Sequence, residues 1–184
     1  MSKRIALLTA AAFGAFALTA TIVAPVSAQE KTVMVGGAAM FPSRNIIQNA
    51  VNSKDHTTLV AAVKAAGLVD TLEGKGPFTV FAPTNAAFGK LPDGTVDNLV
   101  KPENKATLTK ILTYHVVPGK LEASDLSDGK KLKTVEGEEL TVKKANGKVM
   151  IVDAKGDTAT VTISNVNQSN GVIHVIDTVL MPAS

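Results

Sequence analysis

The sequence contains no cysteine and no tryptophan, and its aromatic side chains are limited to six phenylalanines and one tyrosine. Without thiols, the chain can form no disulfide, no thiolate metal site and no cysteine nucleophile. The shortage of aromatic rings argues against binding of single-stranded nucleic acid, whose bases need rings to stack on. Because the 19 basic and 16 acidic residues are interspersed, no basic stripe of the kind that marks a nucleic-acid surface is present.

The first 28 residues have the pattern of a signal peptide. Lys3 and Arg4 form a positive start, residues 5–23 carry no charge, and small residues at 26–28 suit a signal peptidase. We therefore expect cleavage before Gln29 and a secreted, extracellular or periplasmic location. A retained membrane anchor is the alternative, but three threonines dilute the apolar run. Removing 28 of the 184 residues leaves 156, a length that suits one domain.

No segment after residue 28 is long and apolar enough to span a bilayer, so no transmembrane segment is expected after cleavage. The next residues, 29–42, are predicted to form a flexible N-terminal segment because they contain the pair Gly36 and Gly37. Helical spacing of apolar residues then begins after Ser43 and again after Asp55, and each of these side chains can cap a helix. The first part of the chain is therefore predicted to be helical.

The second half changes to short β-rich runs. The first run is predicted over 114–117, and Asn146 followed by Gly147 indicates a hairpin between two later runs, because both residues tolerate positive φ. Helices come first and strands later, without regular alternation. This order predicts an α+β fold in a single domain over 43–184.

Three segments together resemble a known family. They are GPFTVFAPTNAAF at 76–88, LTYHVVPG at 112–119 and NGVIHVIDTVLMP at 170–182. In sequence, order and spacing they resemble the signature blocks of the fasciclin (FAS1) family, in its small, secreted, single-domain bacterial form. The resemblance covers nearly all of residues 43–182. It implies a β-sandwich or wedge with helices packed on one side, and adhesion to an extracellular or cell-surface protein or a matrix component.

Most residues in these blocks suit a structural role. Phe78 and Phe81 are expected in the core, Pro83 ends a strand, and Thr84 and Asn85 offer oxygen acceptors to the turn that follows. The residues that we assign to this structural motif are Phe78, Thr79, Phe81, Pro83, Thr84, Asn85, Phe88, Asn170, Gly171, His174 and Asp177.

Tyr114 and His115 are the first candidates for contact with a partner. In adhesive members of the family that the chain resembles, this Tyr-His segment has been linked to receptor binding. The alternative is a buried His115 satisfied by hydrogen bonds, beside a Tyr114 ring in the core. Adhesive animal members also carry an Asp-Ile pair that has been tied to integrin binding. This chain has Asn165 and Val166 there, so the resemblance does not extend to integrin binding.

The sequence offers no recognisable catalytic or metal-binding set. His56, His115 and His174 lack the paired spacing of zinc helices, and no serine lies in a nucleophile elbow. The acids near Glu136 and Asp153 do not follow a calcium-loop pattern and are expected on a solvated hairpin rim. No catalytic residue, metal or cofactor is therefore predicted.

The function predicted from the sequence is an exported, non-enzymatic binding or adhesion module that does not bind nucleic acid. The alternative is an extracytoplasmic carrier of a small molecule or lipid, with a pocket between sheet and helices. A hydrolase is a weaker third hypothesis, because no set of nucleophile, base and orienting residue can be named. A carrier would require a deep apolar pocket, which distinguishes it from a binding module.

Overall fold

A computed structural model describes residues 31–183, so the predicted signal peptide over 1–28 and its cleavage site lie outside the described residues. The helices are α1 (Ile46–Ala50), α2 (Thr57–Ala66), α3 (Val69–Glu73), α4 (Asn85–Phe88), α5 (Thr95–Leu99) and α6 (Lys105–Tyr114). The strands are β1 (Val33–Val35), β2 (Ala38–Met40), β3 (Phe78–Pro83), β4 (Val116–Pro118), β5 (Lys131–Lys133), β6 (Glu139–Ala145), β7 (Lys148–Val152), β8 (Thr158–Gln168) and β9 (Gly171–Ile176). Short 3₁₀ turns at Lys54–His56 and Pro102–Asn104 precede α2 and α6.

The segment over 29–42, expected to be flexible, contains a hairpin in its described part. β1 and β2 pair antiparallel, and Val35 and Met40 are both buried in the core. Gly36 and Gly37 have φ angles of 56° and 75°, which glycine adopts at little steric cost, so the pair forms the turn. The Gly36 carbonyl accepts a hydrogen bond from the backbone of Lys54, which attaches the turn to the helical part.

Seven strands form one sheet in the order β4-β3-β9-β8-β7-β6-β5. β3 and β9 run parallel, from Phe78 opposite Gly171 to Pro83 opposite Ile176, whereas the other neighbours are antiparallel. Val135, just beyond β5, donates a backbone hydrogen bond of 2.8 Å to Val116 in β4. The sheet therefore curls until its two edges meet, and the predicted α+β wedge is confirmed.

Two apolar cores stabilise this arrangement. One lies between the helices and the sheet, where Leu59, Val63 and Ile173 are buried. The other lies inside the curled sheet and includes Phe81 and Tyr114. The longest described helices have ten residues, and none of the helices between residues 31 and 183 could cross a bilayer.

Local signals located some element ends correctly and others incorrectly. Asn146 with Gly147 forms the β6–β7 turn, as predicted, and Gly67 ends α2 in the left-handed conformation. The predicted Ser43 cap is wrong, because Asn45 caps α1 in a reciprocal pair with Gln48. Local signals thus located the ends that contain glycine but not the residue that caps α1.

The element at 114–117 also differs from its prediction. It was expected to be a strand, but α6 extends to Tyr114 and β4 begins only at Val116. Pro102 opens the 3₁₀ turn before α6, as its lack of an N–H favours. The helix continues through Tyr114 because that side chain packs into the core inside the curled sheet.

Candidate functional site

Tyr114, a predicted contact residue, lies in the protein interior with no exposed surface. Its Oη accepts a hydrogen bond of 2.9 Å from the Ala154 backbone and lies 3.4 Å from the Glu139 carbonyl oxygen. Burial raises the pKa of Tyr114 to about 12, so the phenol stays neutral. The side chain connects α6 to the hairpin strands instead of facing a partner.

His115 is also enclosed, with 2% of its surface exposed. Its Nδ1 lies 2.8 Å from the Ile111 carbonyl oxygen, and its Nε2 accepts a hydrogen bond of 2.9 Å from the Leu180 backbone N–H. Because a carbonyl can only accept and an amide N–H can only donate, the ring proton must sit on Nδ1. Both side chains of the Tyr-His pair are thus buried and hydrogen-bonded within the fold, which is the alternative that the sequence left open.

Burial lowers the pKa of His115 from its ordinary value of 6.5 to about 4. It also lowers the pKa values of His56 and His174. The unfolded chain takes up a proton on His115 near pH 6.5, whereas the folded protein does so only near pH 4. Between these values the unfolded state binds more protons, so acid favours unfolding.

We therefore expect the free energy of unfolding to decrease as the pH falls from 6.5 towards 4. His115 alone should account for a loss of about 2 kcal/mol at pH 5. Urea unfolding at pH 7.5 and pH 5 measures the loss, and His115→Gln should reduce the difference between the two values. Equal stability of the unaltered protein at both pH values would contradict the neutral buried state.

Asn85 caps a helix that lies far from it in sequence. Its Oδ1 accepts a hydrogen bond of 3.0 Å from the Thr58 backbone, and its Nδ2 donates to Lys54 O and Thr57 Oγ1, each at 2.9 Å. α2 has no side-chain cap of its own, so the expected Asp55 cap is wrong. Thr84 caps α4 by accepting from Ala87 N, as predicted.

Asn170 joins the start of α1 and the end of α3 to the turn before β9. Its Oδ1 accepts from Ile46 N at 3.0 Å, and its Nδ2 donates to Leu72 O at 2.7 Å and Gly74 O at 2.9 Å. The Asn170 side chain is buried. If its amide were removed, each of these backbone groups would lose a hydrogen-bond partner in the protein interior.

Asn170→Ala should consequently destabilise the domain by about 3 kcal/mol, because each buried group left unpaired costs roughly 1–3 kcal/mol. The matched control is Asn52→Ala, since Asn52 is exposed and its side chain makes one hydrogen bond, to Gln48 O. That change should cost under about 1 kcal/mol. Chemical denaturation of both variants measures the difference, and equal losses would show that the three hydrogen bonds contribute little.

Thr79 and His174 hold the loop that follows β4. Thr79 Oγ1 donates to Gly119 O at 2.6 Å and accepts from Leu121 N at 2.9 Å. His174 Nε2 lies 2.8 Å from Leu121 O, and its ring stacks on Phe81 with centroids 5.7 Å apart. A carbonyl partner at Nε2 means that His174 carries its proton there. These side chains therefore hold the backbone of the loop after β4 in place.

Asp177 of the motif and Asn165 of β8 also bind backbone groups. Asp177 Oδ1 accepts from Thr160 N at 2.8 Å and from the Thr178 hydroxyl at 3.0 Å. Asn165 adopts a φ of 56°, and its Oδ1 accepts from Ala123 N at 2.7 Å. Asparagine tolerates the left-handed region better than most residues do, so Asn165 suits this bend in β8.

Asp153 is a structural residue that sequence reasoning placed wrongly. It was expected on a solvated rim, but it is 6% exposed and accepts three backbone hydrogen bonds. Its Oδ1 bonds Lys155 N and Asp157 N, and its Oδ2 bonds Met181 N, at 2.9–3.0 Å. The signal was present in the sequence, because Asp at the first and Gly156 at the fourth position favour a type I turn.

In the part of the chain that the structure describes, these residues form no metal site, and the apolar cavity beside them is small. No group of three His, Asp or Glu side chains in residues 31–183 could hold a metal ion. A cavity of about 40 Å³ lies between the helices and the sheet, with apolar side chains such as Met40 and Ile173 around it. Sites for small molecules usually measure about 300–1,000 Å³, so this cavity does not fit the carrier hypothesis.

Similar proteins include a cell surface glycolipoprotein and a solved domain pair. The family model described as the fasciclin domain matches residues 54–182. Protein sll1483 from Synechocystis sp. is 47% identical over 181 residues, which cover 98% of this chain and 97% of the relative. The cell surface glycolipoprotein MPB83 of Mycobacterium bovis is 40% identical over 153 residues, which cover 80% of this chain and 64% of the relative.

A solved structure shares the fold. The FAS1 domain pair of the insect cell adhesion molecule fasciclin I matches with a TM-score of 0.69, over 77% of this chain and 52% of that chain. The sequence identity is 20%, so the match establishes the architecture alone. The chain thus spans about half of the solved pair and about two thirds of the mycobacterial relative.

Proposed function

This chain belongs to the fasciclin domain family, and we propose that it is an exported, non-enzymatic module that binds a protein or matrix component at the cell exterior. The observation that carries the proposal is that the polar motif residues make hydrogen bonds to the protein's own backbone. His115 and His174 each bind backbone groups through both ring nitrogens, as neutral side chains. Neither can therefore act as a general base without giving up a structural hydrogen bond.

The relatives support the location and the kind of activity. One is named a cell surface glycolipoprotein, and the protein that contains the solved domain pair is named a cell adhesion molecule. We infer that the signal peptide over 1–28 is removed and that the fasciclin-like domain occupies 43–184. The partner would then meet the surface of this domain outside the cytoplasm.

N-terminal sequencing of protein from the culture medium or periplasm tests export. The expected first residue is Gln29, because the small residues before it suit cleavage. Membrane-bound protein that retains Phe13 would contradict the proposal.

Capture from the producing organism's own envelope and matrix tests binding. The secreted protein, immobilised through its C-terminus, should retain a surface protein or matrix component in a saturable way, and heat-unfolded protein should not. His115→Ala should lower the melting temperature and leave capture intact below it, since the side chain is buried. Equal retention by folded and unfolded protein would overturn the proposal, as would a turnover activity that disappears in a stably folded variant.

A further inference from the structure

A groove of about 850 Å³ opens where β7 and β8 separate. β7 pairs with β8 only through 150–152, so its first residues, Lys148 and Val149, have no partner on β8. β8 continues beyond Thr160, paired there with β9 alone. The β7–β8 groove, as we call this surface, is lined by Lys144, Lys148, Val149, Val161, Thr162 and Ser164, among others.

The separation has a local cause and leaves a strand edge unpaired. The pairing of β8 with β9 shifts register between Val161 and Ile163 and again between Ile163 and Val166. Such bulges bend a strand and increase its twist, which turns this part of β8 away from β7. No strand in the described part of the chain pairs with the groove side of β8 beyond Thr160. An unpaired edge readily accepts an added strand.

The wall of the groove opposite β8 is fixed by hydrogen bonds within the protein. It is formed by Ala123 and Ser124. Ala123 N donates to Asn165 Oδ1, and the preceding Leu121 carbonyl lies 2.8 Å from His174 Nε2. Asn165 adopts a positive φ in doing so, which is uncommon for a residue with a side chain. A wall fixed in advance reduces the entropy lost on binding.

The charge of the groove is of one sign. Its lining contains two lysines and no carboxylate. Lys144 Nζ donates a hydrogen bond of 3.3 Å to Ala123 O, and the ammonium group of Lys148 has no hydrogen-bond or ion-pair partner among the described residues. Asp128 Oδ1 accepts a hydrogen bond from the backbone N–H of Lys144 and makes no ion pair with the Lys144 ammonium group. Both cations therefore remain available to a negatively charged partner.

The lining also suits a chain with alternating faces. Val149 and Val161 are half-buried, and Thr162 and Ser164 are exposed. Successive residues of an extended peptide point to opposite sides, so one set can cover the valines while acidic residues face the lysines. No aromatic ring lines the groove, which argues against stacked bases. We propose that the β7–β8 groove binds an acidic, extended segment of a protein, which adds to the edge of β8 as a strand.

This proposal rests on the proposed binding function and identifies its partner by chemistry. The test uses the ¹⁵N-labelled secreted protein and a capped peptide of four Thr-Glu repeats, with four Thr-Lys repeats as the charge control. The acidic peptide should shift the amide signals of 148–149 and 161–164, and the basic peptide should not. Shifts confined to other regions, or none at millimolar peptide, would overturn the proposal.

Variants separate the contributions of charge and shape. The Lys144→Glu and Lys148→Glu double variant should weaken peptide binding about ten-fold or more, since it places like charges opposite the peptide. The control double variant, Lys75→Glu with Lys101→Glu, carries the same charge change outside the groove lining and should bind normally. Thr162→Trp should block the groove without altering its charge. Equal affinity of all these folded variants would contradict the assignment.

Two further measurements separate this proposal from the general function. An oligogalacturonate that binds in the groove, while the acidic peptide does not, would assign the site to acidic polysaccharide and overturn the protein partner. If the groove variants capture the envelope partner as well as the unaltered protein does, the protein binds that partner through another surface, and the binding function is retained. Absence of capture by the unaltered protein would instead count against the binding function, whatever the peptide does.

Discussion

Gly171→Ala is expected to prevent stable folding. A Cβ at this position would overlap the Phe78 carbonyl oxygen and lie 2.8 Å and 2.9 Å from the Phe78 C and N atoms. These are backbone atoms of the neighbouring parallel strand, paired at this point, so no side-chain rotation can relieve the clash. Relief would require β3 and β9 to separate where their parallel pairing begins.

The expected loss is more than about 4 kcal/mol, a large fraction of the roughly 5–15 kcal/mol that stabilises a typical domain. Circular dichroism and thermal melting of the purified variant, together with its soluble yield, measure the effect. Gly129→Ala is the matched control, because Gly129 has a φ of 76° but open space where a Cβ would lie. It should cost only about 1 kcal/mol for the left-handed backbone. A Gly171→Ala protein that melts within a few degrees of this control would disprove the close approach.

Phe81→Ala should have the second largest effect. Phe81 has no exposed surface, lies in the centre of β3 and packs in the core inside the curled sheet. Its ring also stacks on His174, with an angle of 25° between the ring planes. Truncation of a buried phenylalanine costs about 3–5 kcal/mol, since it removes apolar contacts and leaves a cavity. For a domain of this size, the melting temperature should fall by about 10 °C.

Phe41→Ala provides the comparison within the same chain. The Phe41 ring is half-buried, and the Arg44 guanidinium lies 4.8 Å from its centroid. Its truncation should cost about 1 kcal/mol, because less apolar surface returns to water. Differential scanning calorimetry of both variants gives the two losses. If Phe81→Ala melts like the unaltered protein, Phe81 does not pack in the core inside the curled sheet.

The motif blocks were the most informative part of the sequence. Phe78 and Phe81 were expected in the core; Phe81 is buried, and Phe78 is partly buried and packs against the core between the helices and the sheet. The Thr84 cap was predicted because a hydroxyl before a short helix can accept the N–H three residues later. Such contacts involve residues close in sequence, so the chain need not be folded for them to be recognised.

The candidate site was harder to predict, because burial cannot be read from residue type. Tyr114 and His115 carry polar groups that suit either a surface contact or an internal hydrogen bond. Their burial follows from the end of α6 meeting the curled sheet, where Ala154 and Leu180 supply partners. The β7–β8 groove was not predicted at all, since it results from bulges in β8 that no local pattern marks.

The sequence by itself determined the family, the α+β class and the turns that need glycine or asparagine, because each depends on a short pattern of neighbouring residues. Only the tertiary structure decided which polar side chains hold the fold. Asn85 caps a helix 27 positions away, and Asn170 bonds a backbone group 124 positions away. A side chain's partner is set by three-dimensional proximity, and burial then makes the loss of that partner costly. The same packing placed the Tyr-His pair inside and left the groove side of β8 beyond Thr160 without a partner strand among residues 31–183.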